Sequence, residues 1–327
     1  MTLMAGYAEV SPLLAPEQES DVDLTVTIVS WNTRELLRRC LAALQSYRSR
    51  YCCEVHVVDN ASEDGSRELV RDEFPWVRLF TNDENKGFAH ANNLSWSHAR
   101  GRYWLLLNSD TEISEGAIDS LIDFMDRTPR AGLATARLLN PDGSPQFCAQ
   151  RSPSIFLTLI ELLRLHKLLT ARARGRIFLG SYWSYDQAIQ LGWAWATALI
   201  ARSEVVAEAG LLNEDFFMYG EDLEWCLRVS QRGWQIWYCP DADVVHHGGQ
   251  SAAVRWAEKS HMKVKLDATY RAVEIHKGRS YTRILQASSL MALAVEWLIA
   301  RITGRPTLAT PFLINYYRHA LNLTVPE

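Results

Sequence analysis

The chain has 327 residues, of which 48% are hydrophobic and 22% charged, a composition typical of a globular protein with one large domain or two. Its formal net charge of −4 gives no global attraction to nucleic acid. The six cysteines form no Cys-x-x-Cys pair, which argues against a disulfide framework or a zinc site and favours a reducing compartment.

Strand and helix patterns alternate along the first part of the chain. Residues 1–23 mix proline with acidic residues and predict a flexible lead-in rather than a signal peptide. Short apolar or β-branched runs predict strands at 24–30, 54–59, 77–81 and 104–108. Apolar residues at helical spacing predict helices at 35–46, 67–74, 87–99 and 118–127. This alternation predicts βαβ units and a largely parallel sheet flanked by helices.

Polar side chains follow three of these strands at their carboxyl ends. They are Asn32, Asp59, Asn60, Asn108 and Asp110. Because such strand ends meet at one edge of a parallel sheet, we expect these side chains to share a crevice for a nucleotide with a cation on its phosphates. Alternatively, residues 108–110 only form a turn and cap the next helix. The chain has neither a G-x-G-x-x-G after the first strand nor a P-loop motif, which disfavours dinucleotide oxidoreductases and P-loop NTPases.

A glycine precedes the third predicted helix, within Asn85-Lys-Gly-Phe-Ala89. Gly87 would allow a backbone amide to approach a base or a phosphate closely. The alternative is an ordinary loop before a helix.

Two tryptophans lie two residues apart in the run 193–200, which predicts a strand. Trp193 and Trp195 would therefore point to the same face of that strand. They could stack on sugar rings or pack in the core, and packing is the commoner role for such residues.

Two further polar patterns contain side chains suited to proton transfer or to metal binding. Glu221 and Asp222 begin a predicted helix, where they could be simple caps, or where the helix dipole could keep a general base ionised. His246 and His247 end an apolar strand and are candidate metal ligands.

Basic residues precede an apolar run near the C-terminus. They are Arg255, Lys259, Lys263, Lys265, Arg271, Lys277, Arg279 and Arg283. The run 284–302 contains Gln286, Glu296 and Arg301 spread around the helical wheel, which predicts a helix packed on the domain or dipping into a membrane surface. Contact with anionic lipid and a purely solvated charged helix are both compatible with this pattern.

Six motifs taken together resemble glycosyltransferase family 2, in particular its bacterial rhamnosyltransferase-like branch. They are Trp31-Asn32, Val57-Val-Asp-Asn-Ala-Ser62, Asn85-Lys-Gly-Phe-Ala89, Leu107-Asn-Ser-Asp110, Met218-Tyr-Gly-Glu-Asp222 and His246-His-Gly-Gly-Gln-Ser251. The resemblance implies a GT-A fold, a nucleoside-diphosphate sugar donor, a divalent cation (Mg²⁺ or Mn²⁺) and inversion at the anomeric carbon. It also implies a nucleotide-binding half at 24–128 and an acceptor and catalytic half at 129–251. The basic and apolar pattern that follows predicts a helical, membrane-associating extension at 252–327.

The resemblance also implies a role for individual residues. Asp222 corresponds to the catalytic base, with Glu221 beside it. Asp110 is the metal-binding carboxylate of a D-x-D motif whose first position is asparagine here, and His246 completes the cation site with His247 as a competitor. The donor-binding residues would be Asn32, Asp59, Asn60, Asn85, Lys86, Gly87, Phe88, Asn108, Ser109 and Asp110. The acceptor-binding residues would be Trp193, Trp195 and Tyr219. Ala196-Thr197 stands where relatives often have Gly-Ala.

The resulting prediction is an inverting, metal-dependent glycosyltransferase of cell-wall, O-antigen or related polysaccharide synthesis. The donor predicted first is dTDP-rhamnose, with UDP-GlcNAc, UDP-galactose or a galactofuranosyl nucleotide as alternatives. The acceptor would be a saccharide or a polyprenyl-diphosphate-linked glycan, at the inner face of the cell membrane and reached from the cytoplasm. A non-catalytic module that binds sugar nucleotides or glycans is the alternative from another class.

Overall fold

The computed structural model describes residues 22–248, 258–304 and 311–321. The strands are β1 (Leu24–Ser30), β2 (Cys53–Asn60), β3 (Arg78–Asn82), β4 (Tyr103–Asn108), β5 (Thr111–Ile113), β6 (Ala131–Leu139), β7 (Ala149–Gln150), β8 (Ile189–Leu191), β9 (Trp193–Ala194), β10 (Ala198–Arg202) and β11 (Gln235–His246). The α-helices are α1 (Arg34–Ser46), α2 (Ser66–Glu73), α3 (Phe88–Trp96), α4 (Ala117–Arg127), α5 (Ile155–Leu162), α6 (Ala171–Phe178), α7 (Ser203–Ala209), α8 (Glu221–Gln231), α9 (Glu258–Thr303) and α10 (Pro311–Ala320).

The main sheet has the strand order β3-β2-β1-β4-β10-β6-β11-β5, with β8 also paired to β11. Strands β3, β2, β1 and β4 are mutually parallel, whereas β10 is antiparallel to both of its neighbours. The predicted α/β architecture is therefore confirmed, and the strand additions after β4 make the sheet mixed.

Local sequence explains the parallel half. Strand β1 is rich in β-branched residues, which suit a strand covered on both faces, and all but one of its residues are buried. Helix α1 carries its apolar residues at helical spacing and buries them against the sheet. Those buried residues are Leu37, Cys40, Leu41 and Leu44.

The single strand predicted at 193–200 is wrong, because the chain forms two strands there in different sheets. Trp193 and Ala194 pair with β7, and β10 begins at Ala198 between β4 and β6. The intervening residues 195–197 leave the ladder, and the carbonyl of Thr197 accepts a hydrogen bond from the Asn108 amide at 2.9 Å. A local pattern does not reveal this change of sheet.

The Leu-rich segment 155–169 is also interrupted. Helix α5 ends at Leu162, Arg164 adopts a left-handed φ of 54°, and a short 3₁₀ turn follows at Leu165–Leu168. None of the α5 residues is buried.

Helix α9 contains a non-helical residue, Gly278, with φ 80° and ψ 163°. The part before Gly278 packs against α8 and the part after it continues the apolar C-terminal segment. A second hydrophobic cluster joins α9 to the segment around α8, and includes Phe216, Leu223, Leu227, Ala268, Ala272 and Val273. The C-terminal helix therefore belongs to the same packed body as α8.

Some predictions concern residues outside the described ranges. They are most of the lead-in, the Gly249 to Ser251 part of the histidine motif, the boundary between 251 and 252, and Arg255.

Candidate active site

A cavity of about 520 Å³ opens at the carboxyl ends of β1 and β4, with the loop before α8 and the start of α9 on its other side. The predicted residues that line it are Asn60, Asn85, Gly87, Phe88, Asn108, Ser109, Asp110, Trp193, Trp195, Tyr219, Glu221, Asp222 and His246. Thus the described structure brings most of the predicted donor, acceptor, metal and catalytic residues to one cavity.

Asp110 and His246 meet because β5 pairs antiparallel with the end of β11. Thr111 lies opposite His246 in that pairing, and the Asp110 carbonyl accepts the His247 amide at 2.9 Å. The Nε2 atom of His246 is consequently 3.3 Å from Oδ1 of Asp110. Nε2 of His247 instead lies 2.7 Å from Oε1 of Glu112, so its ring is turned toward that carboxylate. Of the two histidines, His246 is the one that lines the cavity.

Gln146 holds the His246 ring, and the sequence reasoning missed it. Its Oε1 lies 2.7 Å from Nδ1 of His246, and its Nε2 donates to the His246 carbonyl at 2.8 Å. An amide oxygen can only accept, so Nδ1 carries the proton and the lone pair of neutral His246 is on Nε2, facing Asp110. Gln146 follows a turn and shares no sequence pattern with β11, so no local signal indicated this role.

Asp222 lies in the cavity wall at the start of α8. Its Oδ1 accepts the Leu223 amide at 2.7 Å, and the Ala196 amide also bonds to the carboxylate. Loss of water raises the pKa of Asp222 to about 6, although these two amides and the charge of Lys265 oppose the rise. A carboxylate with this pKa is a stronger base than ordinary aspartate and is still mostly ionised at pH 7.

Glu221 is more deeply buried than its neighbour. Its Oε2 has no hydrogen-bond partner among the described residues. Burial raises its pKa well above the usual range, and the neighbouring charge of Asp222 raises it further. The dipole of α8 therefore does not offset the loss of solvent at Glu221.

The loop at 85–88 is organised by protein contacts. Asn60 donates to Oδ1 of Asn85 and accepts the Lys86 amide, and the Gly87 amide bonds to Asn85. The Phe88 amide donates to the Phe217 carbonyl at 2.9 Å. A Cβ on Gly87, whose φ is +90°, would collide with that same carbonyl. The close approach that needs glycine is thus to the chain at Phe217, and these amides are already occupied within the protein.

Asp59, Asn32 and Lys86 do not line the cavity in the described residues. Oδ2 of Asp59 pairs with Arg67 at 2.5 Å, whereas its buried Oδ1 has no described hydrogen-bond partner. Asn32 accepts the Glu63 amide at 2.8 Å and adopts φ 53°. Both residues belong to the loop region next to the carboxyl ends of β1 and β2.

Residues 25–179 match the family model described as Glycosyl transferase family 2. The chain is a glycosyltransferase, and its residues 25–179 resemble family 2. It is 28% identical over 271 residues to the N-acetylglucosaminyl-diphospho-decaprenol L-rhamnosyltransferase of Mycobacterium tuberculosis, which covers 76% of this chain and 82% of that protein. It is 24% identical to the low-salt glycan biosynthesis hexosyltransferase Agl10 of Haloferax volcanii, over 86% of this chain and 84% of the other.

Solved structures place this glycosyltransferase in the GT-A fold. The crystal structure of GalNAc-T7 with UDP, GalNAc and Mn²⁺ superposes with a TM-score of 0.57 at 16% identity, covering 93% of this chain and 55% of that one. The chain thus spans about half the length of that structure. The mannosyltransferase PcManGT of Pyrobaculum calidifontis, in complex with GDP-Man and Mn²⁺, superposes with a TM-score of 0.51 at 18% identity, covering 96% and 87% of the two chains. The predicted GT-A fold is confirmed.

The glycosyltransferase also takes part of its cavity wall from α9, which the sequence did not indicate. Lys265 and Thr269, one helical turn apart, both line the cavity. Nζ of Lys265 lies 4.8 Å from the centre of the Tyr219 ring. The loop before α8 and helix α9 therefore form one surface.

Proposed function

We propose that this glycosyltransferase moves a sugar from a nucleoside-diphosphate donor to a hydroxyl of a saccharide on a lipid carrier, with inversion at the anomeric carbon. L-Rhamnose from dTDP-rhamnose is the first donor to test, because the M. tuberculosis relative is named for L-rhamnosyl transfer. The observation that carries the proposal is that Asp222 shares one cavity with the Asp110 and His246 pair.

Asp110 and His246 suit a divalent cation that is also held by the donor. Their facing atoms are a carboxylate oxygen and an imidazole lone pair, both ordinary ligands of Mn²⁺. In the described part of the chain no group of three or more His, Cys, Asp or Glu side chains could hold a metal. Two protein ligands are enough where phosphate oxygens and water fill the remaining sites, as in many Mg²⁺ sites. When bound, the cation supplies positive charge against the diphosphate that departs.

The catalytic step uses Asp222 as a general base. Its carboxylate takes the proton of the acceptor hydroxyl while that oxygen forms a bond to the anomeric carbon. The bond from that carbon to the donor's diphosphate breaks on the opposite face, and the diphosphate leaves with the electron pair. One base and one departing anion suffice, so no covalent enzyme intermediate is required.

The donor's base is proposed to contact Asp59. A buried carboxylate oxygen without a described partner costs free energy, and the N3–H of thymine or uracil would satisfy it. Asn32 lies near the same strand ends, and Asn60 supports the loop at 85–88 that would flank the nucleotide. Asn108 and Ser109 precede Asp110 in the cavity wall and would contact the donor beside the cation.

The acceptor is proposed to bind against Trp193, Trp195 and Tyr219, whose rings line the cavity near Asp222. Aromatic rings present flat apolar faces on which sugars pack. We also propose a cytoplasmic location with peripheral contact to an anionic membrane, where a lipid carrier would be found. By length and composition, one described helix within Met262–Thr303 could cross a membrane, a test that core helices of soluble proteins also pass.

The test is a screen of nucleotide sugars by thermal shift with and without Mn²⁺, followed by transfer assays with GlcNAc-diphosphate-lipid acceptors. The proposal expects cation-dependent stabilisation by one donor and an inverted product. Stabilisation without transfer to any saccharide acceptor would favour a binding module instead. Transfer from UDP-GlcNAc, UDP-galactose or a galactofuranosyl nucleotide would change the assigned donor, and the class of reaction would stay the same.

A further inference from the structure

Lys265 occupies a fixed place in the cavity wall. It lies on α9, and three residues further on Ala268 packs against Gly220, the residue before α8. A Cβ at Gly220, whose φ is +84°, would lie 2.9 Å from the Ala268 Cβ. This contact leaves no room for α9 to shift toward the loop before α8, so the lysine stays at the cavity.

The ammonium of Lys265 lacks a strong partner within the described residues. It lies 4.8 Å from the Tyr219 ring centre and forms no described salt bridge, whereas Lys263 on the same helix pairs with Asp267 at 2.6 Å. The cavity wall removes water from Lys265 and lowers its pKa, while the charge of Asp222 acts in the opposite direction. A cation held in this way at a cavity is ready to bind an anion.

That anion is not the donor's diphosphate in the proposed reaction. The donor diphosphate is assigned to Asp110 and His246, which belong to the β5 and β11 edge. Lys265 comes from the opposite element, α9, together with the acceptor-side ring of Tyr219. The relative's printed name describes an acceptor that carries its own diphosphate on a decaprenol lipid.

An exposed apolar face begins next to the cavity. Trp193 packs in one hydrophobic cluster with Ile155 of α5 and Tyr281 of α9. The Ile155 amide donates to the Tyr281 hydroxyl at 3.3 Å, which ties α5 to α9. We define the apolar face by its exposed members on α5, on the turn after it and on the second part of α9. They are Phe156, Leu159, Leu163, Leu165, Leu168, Ile284, Met291, Leu298 and Ile302.

We propose that Lys265 binds the diphosphate of a polyprenyl-linked acceptor, while the prenyl chain lies along the apolar face. The inference rests on the proposed function, because it names the acceptor class of that same site. A neighbouring cation and apolar surface match the two parts of such a ligand, which a soluble sugar would not need.

The experiment measures binding of geranyl diphosphate, geraniol and inorganic pyrophosphate to the full chain by titration calorimetry. EDTA is present so that no cation recruits the probe to Asp110. The wild type should bind geranyl diphosphate at least tenfold more tightly than either geraniol or pyrophosphate. Lys265→Met should lose at least tenfold of that affinity and leave geraniol binding unchanged, and Lys265→Arg should retain most of it.

Three controls make the result specific. Lys263→Met, on the same helix but facing Asp267, should behave as the wild type. Phe156→Ser with Leu163→Ser should weaken the binding of geranyl diphosphate and of geraniol alike. This double variant changes the contact with the prenyl chain rather than with the diphosphate. Nucleotide affinity in Mn²⁺ should stay unchanged in Lys265→Met.

Equal geranyl diphosphate affinity in Lys265→Met and wild type would overturn the inference, as would an equal loss of nucleotide affinity. Because the probes carry no sugar and the assay needs no donor, failure here is separate from failure of the transfer reaction. Conversely, binding as expected with no transfer to any acceptor would reject the proposed function and leave the prenyl-diphosphate site in place.

Discussion

The Nε2 atom of His246 faces Oδ1 of Asp110 across 3.3 Å, although the two residues come from distant segments of the chain. Both atoms are acceptors when the histidine is neutral, because Gln146 fixes the proton on Nδ1. Two hydrogen-bond acceptors at this distance repel each other unless both contact a shared proton or cation. This arrangement motivates the first prediction.

Asp110→Ala should weaken nucleotide binding more than tenfold in Mn²⁺ and leave it unchanged in EDTA, because the carboxylate acts through the cation. His246→Ala should act in the same direction with a smaller effect. Titration calorimetry in the two conditions checks both variants. Equal losses with and without Mn²⁺ would show that Asp110 contacts the nucleotide directly.

Asp222→Asn should retain nucleotide affinity and lower the transfer rate by roughly 10²–10⁴-fold, because the amide keeps the shape and cannot accept a proton. Single-turnover transfer assays beside nucleotide titrations measure the two properties separately. Transfer within a fewfold of wild type would exclude Asp222 as the base.

The transfer rate should follow the ionisation of Asp222. Since its pKa is raised to about 6, kcat/KM should fall tenfold per pH unit below about pH 6 and level off above it. If the base were an aspartate with an ordinary pKa, kcat/KM would stay constant down to about pH 4. A profile flat from pH 7 to pH 5 would contradict the assignment.

Glu221→Gln should stabilise the protein at alkaline pH. A buried carboxyl whose folded pKa is raised contributes stability below its unfolded pKa and loses it as pH rises through the folded value. The gain in unfolding free energy over wild type should therefore grow from pH 5 to pH 8 and reach on the order of 1–3 kcal/mol. Denaturant unfolding at both pH values tests this, and an equal difference at the two would count against it.

Gly87→Ala should destabilise the fold more than Gly143→Ala. Both glycines have positive φ, which costs an alanine roughly 1–2 kcal/mol. Only Gly87 would also place its Cβ against the Phe217 carbonyl, whereas Gly143 has open space around it. Urea unfolding of the two variants isolates the clash, and equal losses would show that the loop moves aside freely.

Membrane contact should depend on exposed basic residues near the break in α9. Arg279→Gln with Arg283→Gln should reduce sedimentation with anionic liposomes by on the order of tenfold at low salt, since each basic residue is worth roughly 1 kcal/mol there. Arg71→Gln on α2 is the matched control. Binding that is equal on neutral and anionic liposomes would remove the electrostatic contribution. Point variants are preferable to removal of the C-terminal helix, which would also remove part of the cavity wall.

Local pattern was enough to predict the strands and helices from β1 to α4 except β5, because apolar spacing reflects which side of each element is covered. Asp110, Asp222 and His246 could be chosen because they stand in short motifs of one family. Gln146 and Lys265 could not, since their roles follow from pairings that no neighbouring residue indicates: the turn near β11 for Gln146 and the packing of α9 on Gly220 for Lys265. The split of 193–200 was missed for the same reason, because both pieces have strand composition and only their distant partners differ.

The contact between Gly220 and Ala268 can form only late in translation of the chain. During translation, every strand of the main sheet emerges from the ribosome before the part of α9 that carries Ala268. The sheet can therefore form while one wall of the cavity is still missing. A nascent chain at that stage has the strand ends assigned to the donor but lacks Lys265 and Thr269, so the proposed acceptor side is completed last.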